Sequence, residues 1–171
     1  MSTFSLIVPM VIALGVVAAS ALAQDAKPQY GIKFDQPDAG SMIRREAVRG
    51  SSIPINRTYA QLSQAEREQV RGWYEAMPPT DEPPFPTDGL KPILDALRKA
   101  QAKLLVTGEL FLVASVDSSG AVIEVKAIGS PSPEMVKFAA SVLLFTKFKP
   151  AVCGGLPCRM EFPLHQTFLV Q

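Results

Sequence analysis

The chain has 171 residues, 47% of them hydrophobic, which is enough for one domain that buries a substantial core. Its 17 basic and 16 acidic residues leave a net charge of +1. This balance gives no reason to expect nucleic acid or an anionic membrane surface as a partner, and the apolar content argues against a chain that is disordered throughout.

The N-terminal segment is uncharged through residue 23 and almost wholly apolar from residue 4. It closes on Ala21 and Ala23 in the small-x-small pattern that a signal peptidase accepts, so we predict that residues 1–23 are a signal peptide cleaved after Ala23. No Lys or Arg precedes the apolar run, and a run of this length can also span a bilayer. An uncleaved membrane anchor is therefore the main alternative, and a buried helix is a further one. The chain would contact a membrane only if the segment is retained.

Residues 24–80 are predicted to form an N-terminal extension that is irregular apart from one helix at 62–77. Ser63 and Glu66 have the spacing of a capping box, in which each side chain accepts a hydrogen bond from the backbone of the other residue. The apolar stripe of this helix consists of Leu62, Val70, Trp73, Tyr74 and Met77. At this spacing we interpret Trp73 as a core residue rather than a ligand-stacking side chain, and the prolines after residue 77 end the helix.

The C-terminal half changes from helical to alternating periodicity. Its predicted elements are a helix at 89–103, strands at 110–116 and 121–128, a helix that begins after Ser132, and a final strand at 159–170. The sequence DSSG at 117–120 is a turn that places Gly120 at a positive φ. The order β-β-α-β predicts an α+β domain, with a small antiparallel sheet packed on helices.

The predicted elements differ in the polarity of their faces. On the final strand Met160, Phe162, Leu164 and Phe168 face one side, and Arg159, Glu161, Pro163, His165 and Thr167 face the other. The helix after Ser132 is apolar at Met135, Phe138, Ala139, Val142, Leu143 and Phe145, so we expect it to be buried. Phe111 and Val113 lie on a strand face that is normally polar in a solvated sheet, so we expect the N-terminal half of the chain to cover them.

The inventory of residues for catalysis is thin. His165 is the only histidine, and we predict an outward, solvated side chain with no fixed partner. A catalytic or metal-binding role would require an orienting group or further ligands. No cluster of His, Cys, Asp or Glu has metal-ligand spacing, and no glycine-rich phosphate loop precedes a helix. We therefore expect a chain that is not an enzyme and that uses no cofactor or metal.

Cys153 and Cys158 bracket a tight Gly-Gly-Leu-Pro turn. In an exported chain this C-x4-C spacing predicts a structural disulfide that clamps the last hairpin. A redox-active pair would normally be C-x-x-C at the start of a helix. Two free thiols or a metal site would also be compatible with this spacing.

Several short motifs occur in the order found in the C-terminal domain of TonB, the periplasmic energy-transducing protein of Gram-negative bacteria. They are EPPFP at 82–86, GELFLVASV at 108–116, DSSG at 117–120 with Val122 after it, IGS at 128–130, FKPA at 148–151, GLP at 155–157 and FPL at 162–164. Residues 81–171 therefore resemble the TonB C-terminal domain family, with Pro83, Phe85 and Pro86 in its proline-aromatic segment.

The resemblance implies a periplasmic module that binds a protein partner by adding a strand to its sheet. In the family the last strand lies at the edge of the sheet and accepts the short strand of an outer-membrane receptor. This implies a binding edge here that includes Arg159, Glu161, His165, Gln166, Thr167 and Leu169. Pro163 fits an edge strand because a proline cannot donate to a ladder. A second copy of the chain, giving a homodimer, is another occupant of the same edge.

The chain also departs from the family. Thr146 stands where the family usually has Trp, and Glu82 stands where Gln is common. The apolar N-terminal segment lacks the histidine that couples TonB to the ExbB–ExbD motor, and the proline stretch at 78–87 is too short to span an envelope. We therefore expect a non-catalytic periplasmic interaction module. A membrane-anchored energy transducer, or an accessory for outer-membrane transport, is the alternative.

Overall fold

The computed structural model describes residues 43–49 and 52–169, so the predicted signal segment with Ala21 and Ala23 lies outside the described residues. The helices are α1 (Arg45–Arg49), a 3-10 turn (Tyr59–Gln61), α2 (Gln64–Arg71), α3 (Lys91–Leu104) and α4 (Pro133–Phe145). The strands are β1 (Phe85–Pro86), β2 (Gly108–Val116), β3 (Val122–Gly129), β4 (Phe148–Lys149), β5 (Ala151–Cys153), β6 (Leu156–Cys158) and β7 (Met160–Phe168). None of the helices described is long and apolar enough to cross a membrane.

The main sheet has three antiparallel strands in the order β3-β2-β7, with helices packed against it. Two short antiparallel pairs, β1 with β4 and β5 with β6, lie beside it. The predicted α+β class with a small antiparallel sheet is confirmed. The central strand is β2, so β7 is an edge strand among the elements described.

The turn between β2 and β3 forms as its residues predict. The carboxylate of Asp117 accepts hydrogen bonds from the backbone N–H groups of Ser119 and Ala121, at 2.8 and 3.0 Å. Gly120 has a φ of +85°, and a Cβ at this position would lie 2.0 Å from the Phe148 carbonyl oxygen. Only glycine fits here, because this conformation and this close backbone approach both exclude a side chain.

The helix predicted at 62–77 is shorter in the structure. Its capping box is present, with Glu66 N–H donating to the Ser63 hydroxyl and Ser63 N–H donating to the Glu66 carboxylate. However, α2 ends at Arg71, because Tyr74 leaves the helical path and forms an antiparallel bridge with Ile43. The stripe is still largely buried: Leu62, Val70, Trp73 and Tyr74 are each less than 6% exposed, which confirms Trp73 as a core residue.

The prediction that α4 is buried is correct for only part of the helix. Met135, Ala139 and Leu143 are completely buried against the sheet. Phe138 is 39% exposed and Phe145 is 89% exposed, so the expected burial of these two side chains is wrong. They lie on the flank of α4 that borders α3, where no described element covers them.

Both faces of β2 are buried. Leu110, Leu112, Ala114 and Val116 are completely buried on the main core side. On the other side Phe111 and Val113 are only 3% and 2% exposed, so the expectation that they are covered is confirmed. Part of the N-terminal half lies nearby, since α1 packs against β7 and Arg49 pairs with Glu109 of β2.

Candidate protein-interaction site

The candidate site is the outer edge of β7. The strand runs from Met160 to Phe168, so the predicted binding residues Arg159 and Leu169 lie just outside its two ends. Leu169 is 73% exposed, and its carbonyl oxygen accepts a hydrogen bond from the Gln101 side chain. The remaining predicted residues of the edge lie within the strand: Glu161, His165, Gln166 and Thr167.

The orientation of the β7 backbone can be deduced from two residues. The Glu161 carbonyl accepts a hydrogen bond of 2.8 Å from the Tyr74 hydroxyl, which is not part of the sheet. In an antiparallel ladder, alternate residues turn both backbone groups away from the partner strand. β2 and β7 pair without a register shift. The backbone polar groups of Pro163, His165 and Thr167 therefore point away from β2, as those of Glu161 do. Pro163 fits this assignment, since it has no N–H to donate to β2.

The outward backbone groups are only partly occupied. Tyr74 engages Glu161, and the side-chain amide of Gln166 donates to the Thr167 carbonyl at 2.8 Å. Within residues 43–49 and 52–169, no hydrogen bond engages the N–H of Thr167 or the outward backbone groups of His165. These groups form a short stretch of unpaired strand edge, which is the surface that an extended peptide recognises.

A groove runs along this edge. One wall is residues 162–167 of β7, and the other includes Val48, Arg49, Ile53 and Ile55. Its volume is about 220 Å³. This is below the range of roughly 300–1,000 Å³ that is common for ligand pockets. The segment that carries Val48 and Ile53 lies across the groove from β7, so a peptide strand that pairs with this edge would compete with it for the same space.

His165 is more enclosed than we predicted. Its side chain is only 11% exposed, and its ring centroid lies 5.9 Å from that of Phe111. The nearest carboxylate oxygen, from Glu109, is 3.9 Å from Nε2. Burial lowers the pKa of His165 below its usual value, and the nearby Glu109 carboxylate opposes this effect only in part. The prediction of a solvated histidine is wrong, because Phe111 on the neighbouring strand shields the ring.

Two buried polar atoms belong to residues that line this groove. Neither Trp73 Nε1 nor His165 Nε2 has a hydrogen-bond partner in the described part of the chain. A buried polar group without a partner costs about 1–3 kcal/mol. An incoming segment that supplied an acceptor for the Trp73 indole N–H would recover part of this energy.

The proline-aromatic segment has a structural position away from the β7 edge groove. Phe85 is completely buried, and its ring contacts those of Tyr59 and Phe162 at centroid distances of 5.9 and 6.3 Å. Pro86 pairs with Phe148 through the short β1–β4 ladder, and Lys149 bonds to the Pro83 carbonyl. This segment anchors the core and presents no binding surface at the candidate site.

The cysteines lie in a separate hairpin formed by β5 and β6. The sulfur atoms of Cys153 and Cys158 are at bonding distance, 1.93 Å, which confirms the predicted pairing. The hairpin is fastened to the rest of the chain because Gly154 N–H donates to the buried Asp81 carboxylate, and Glu82 and Val152 exchange backbone hydrogen bonds. Leu156 at its tip is 71% exposed.

The sequence did not reveal Tyr74 or α1 as neighbours of the edge. Tyr74 belongs to an apolar helical stripe in the sequence, and its hydroxyl contact with Glu161 spans 87 positions. The α1 helix has only five residues, REAVR, which is too short for a periodic signal. Both features depend on contacts between distant parts of the chain.

The chain matches no model of a known protein family, and no curated protein is similar to it at a significant level. Its function must therefore be inferred from the arrangement of its own residues.

Proposed function

We propose that this chain is a non-catalytic periplasmic interaction module with a TonB C-terminal-like domain at residues 81–171. It binds an extended segment of a protein partner in the cell envelope along the outer edge of β7. The central support is that, within the described residues, no hydrogen bond engages the outward backbone groups of His165 or the N–H of Thr167 on that edge, beside a groove. The motifs at 82–86, 108–122 and 148–164 support the family assignment.

The partner segment would run along the C-terminal part of β7. Pro163 provides no donor, and the Glu161 carbonyl is already engaged by Tyr74, so pairing favours residues 165–167. Trp73 Nε1 and His165 Nε2 are buried near this stretch without a hydrogen-bond partner in the described residues, so a segment that reached them would add two polar contacts. Main-chain hydrogen bonds supply affinity in this mode, and side-chain contacts supply specificity.

The substitution Thr167→Pro tests this proposal. It removes the outward N–H of Thr167. No ladder bond to β2 is lost, because the backbone groups of Thr167 point away from β2. The Thr167 side chain is exposed, so the change does not disturb the core. Thr167→Val is the matched control, since it removes the hydroxyl but keeps the N–H. A photo-crosslinking residue at position 167 in the envelope would identify the partner, with the same residue at Lys126 of β3 as the positional control.

We expect crosslinks from position 167 but not from position 126. We expect Thr167→Pro to reduce capture of the crosslinked partner by about tenfold, which corresponds to a loss of about 1.4 kcal/mol of binding free energy. Thr167→Val should bind like the wild type. If a correctly folded Thr167→Pro protein retains both partner capture and self-association, the β7 edge is not the binding site.

The apolar N-terminal segment supports a second candidate function. Residues 4–23 are long enough to span a bilayer, which would fit a membrane-anchored transducer or transport accessory. The intact mass of protein extracted from the envelope separates the two. The mass of a chain that begins at Gln24 supports the released module. The mass of a chain that retains residues 1–23 supports the anchored one.

A further inference from the structure

The side chain of His165 and the segment that carries α1 line the same groove at the β7 edge. The wall opposite the strand includes Val48, Arg49 and Ile53. α1 packs against β7, and Val48 is only 8% exposed. The surroundings of the His165 ring therefore depend on whether α1 is docked on the strand.

Arg49 and His165 lie beside the same carboxylate oxygen. Glu109 Oε2 is 2.8 Å from Arg49 Nη2 and 3.9 Å from His165 Nε2. His165 Nε2 is buried and has no hydrogen-bond partner in the described part of the chain. A proton on this atom would place a second cation next to an oxygen that Arg49 already occupies, on a ring that is only 11% exposed. Repulsion between the two cations and burial of the new charge both oppose protonation.

The forces on the ring come from different elements. Burial lowers the pKa of His165 below its ordinary value of 6.5, Glu109 of β2 raises it, and Arg49 of α1 lowers it. Burial is the larger cause, because Arg49 and Glu109 are each at least 40% exposed and water screens their charges. The only acid on β7 itself is Glu161, four positions along the strand. Departure of α1 would remove Arg49 and admit water, while the attraction of Glu109 would remain.

We propose that docking of α1 and a proton on His165 exclude each other, so that mild acid releases α1 from β7 and uncovers the strand edge. The neutral ring packs against Phe111 while α1 is docked. The imidazolium requires water and the Glu109 carboxylate without Arg49, and α1 gives up both when it leaves. This switch regulates access to the β7 edge, and in that respect it rests on the proposed function.

The direction of the pH effect follows from proton binding. The docked state holds the His165 pKa low, so the released state binds a proton more tightly. Docking of α1 is therefore fully favoured above the His165 pKa of the released state and is weakened as the pH falls below that value. One proton can raise the ratio of released to docked protein by at most about tenfold for each pH unit. His165 is the only histidine of the chain, so no other imidazole contributes.

Hydrogen exchange on the purified full chain, followed by NMR, measures the release. The reporters are the backbone N–H of Arg44, which donates to the Trp73 carbonyl at 2.7 Å, and that of Val48, which donates to the Arg44 carbonyl at 3.1 Å. The wild type and His165→Gln are compared at each pH between about 5 and 8, where histidine titrates. Intrinsic exchange rates and the titration of carboxylates are common to both proteins and cancel in the ratio of their exchange rates.

We expect this ratio to be constant near the upper end of the pH range and to rise as the pH falls below about 6.5, by up to about tenfold for each pH unit. The amides of the β2–β7 ladder should show a ratio that does not change with pH, because the sheet itself stays folded.

The reverse coupling provides a second test that leaves His165 unchanged. Val48→Asn weakens the docking of α1 without adding a charge. Val122→Asn on β3 is the matched control, because both valines are 8% exposed. An NMR titration of the single histidine ring measures its pKa directly. We expect Val48→Asn to raise the pKa of His165 and Val122→Asn to leave it unchanged.

Two results would overturn the proposal. The first is an exchange ratio at Arg44 and Val48 that stays constant with pH when His165→Gln is folded. The second is an unchanged His165 pKa in a Val48→Asn protein whose Arg44 amide exchanges faster than in the wild type. This second measurement keeps the test decisive if His165→Gln does not fold. Neither measurement involves a partner, so a working switch with partner capture that does not change with pH would contradict binding at the β7 edge and not the switch.

Discussion

At the scale of single residues, Leu105 is in an unfavourable backbone conformation. It ends α3 with a φ of 52° and a ψ of 35°, in the left-handed region that glycine adopts most easily, and its side chain is 84% exposed. The conformation costs a non-glycine residue roughly 1–2 kcal/mol. Its side chain recovers little of this by packing, because it is so exposed.

We therefore predict that Leu105→Gly stabilises the protein by about 0.5–1 kcal/mol, because the relief of strain exceeds the entropy that glycine adds to the unfolded chain. Urea denaturation with an unchanged m-value measures this. Leu104→Gly, one residue earlier and inside α3, should destabilise by about 1 kcal/mol. Equal losses of stability in both variants would contradict the role assigned to the Leu105 conformation.

At the scale of elements, the disulfide clamps the β5–β6 hairpin. It closes a loop of only six residues, so the chain-entropy estimate of its contribution is roughly 2 kcal/mol. We predict that changing both cysteines to serine lowers the free energy of unfolding by about this amount while the fold persists. The wild type in reductant should match the double variant. If the oxidised wild type and the variant unfold at the same urea concentration, the bond does not stabilise this hairpin.

The β2–β3 turn should be sensitive to acid. The pKa of Asp117 lies below its ordinary value of 3.8. The main cause is the hydrogen bond from the Ser119 hydroxyl, and hydrogen bonds from backbone N–H groups of the turn lower the pKa further. A lowered folded-state pKa stabilises the fold above the unfolded-state pKa, and this stability is lost as the pH falls through the folded-state value. Asp117→Asn keeps an acceptor oxygen but does not titrate.

We predict that Asp117→Asn is less stable than the wild type near neutral pH, and that the difference in free energy of unfolding shrinks as the pH falls below 3.8. Urea denaturation over a series of pH values measures it. Glu66 and Asp95 also have lowered pKa values and remain in both proteins, so they cancel in the comparison. A difference that stays constant with pH would show that the Asp117 charge does not stabilise the turn.

At the scale of the whole molecule, the proposed partner would compete for the β7 edge with the segment that carries Val48 and Ile53. This segment faces β7 across the groove, and the ion pair between Arg49 and Glu109, at 2.8 Å, helps to hold α1 in place. Both side chains are at least 40% exposed, so this pair contributes less than about 1 kcal/mol.

We predict that Arg49→Gln increases partner capture, by no more than about fivefold, because it loosens α1 from the sheet. Lys126→Gln is the matched control, since it removes a similar exposed pair with Glu124 on the far edge of the sheet. Capture that falls in Arg49→Gln would show instead that α1 forms part of the binding surface.

The sequence by itself determined the local features of this protein. The capping box of Ser63 and Glu66, the positive φ of Gly120 and the capped start of α4 at Ser132 formed as predicted. So did the apolar face of β7. Each of these depends on hydrogen bonds, steric limits or side-chain alternation within a few residues, and these causes are present in the sequence itself.

Only the tertiary structure decided which surfaces are covered. Tyr74 lies beyond the end of α2 and pairs with Ile43, His165 is enclosed by Phe111, and Phe145 is exposed although it belongs to an apolar helix. At the candidate site, the sequence predicted the edge strand, but the groove beside it depends on α1. The exposure of a side chain depends on neighbours that are distant in the sequence, and residue patterns do not record which of these neighbours pack together.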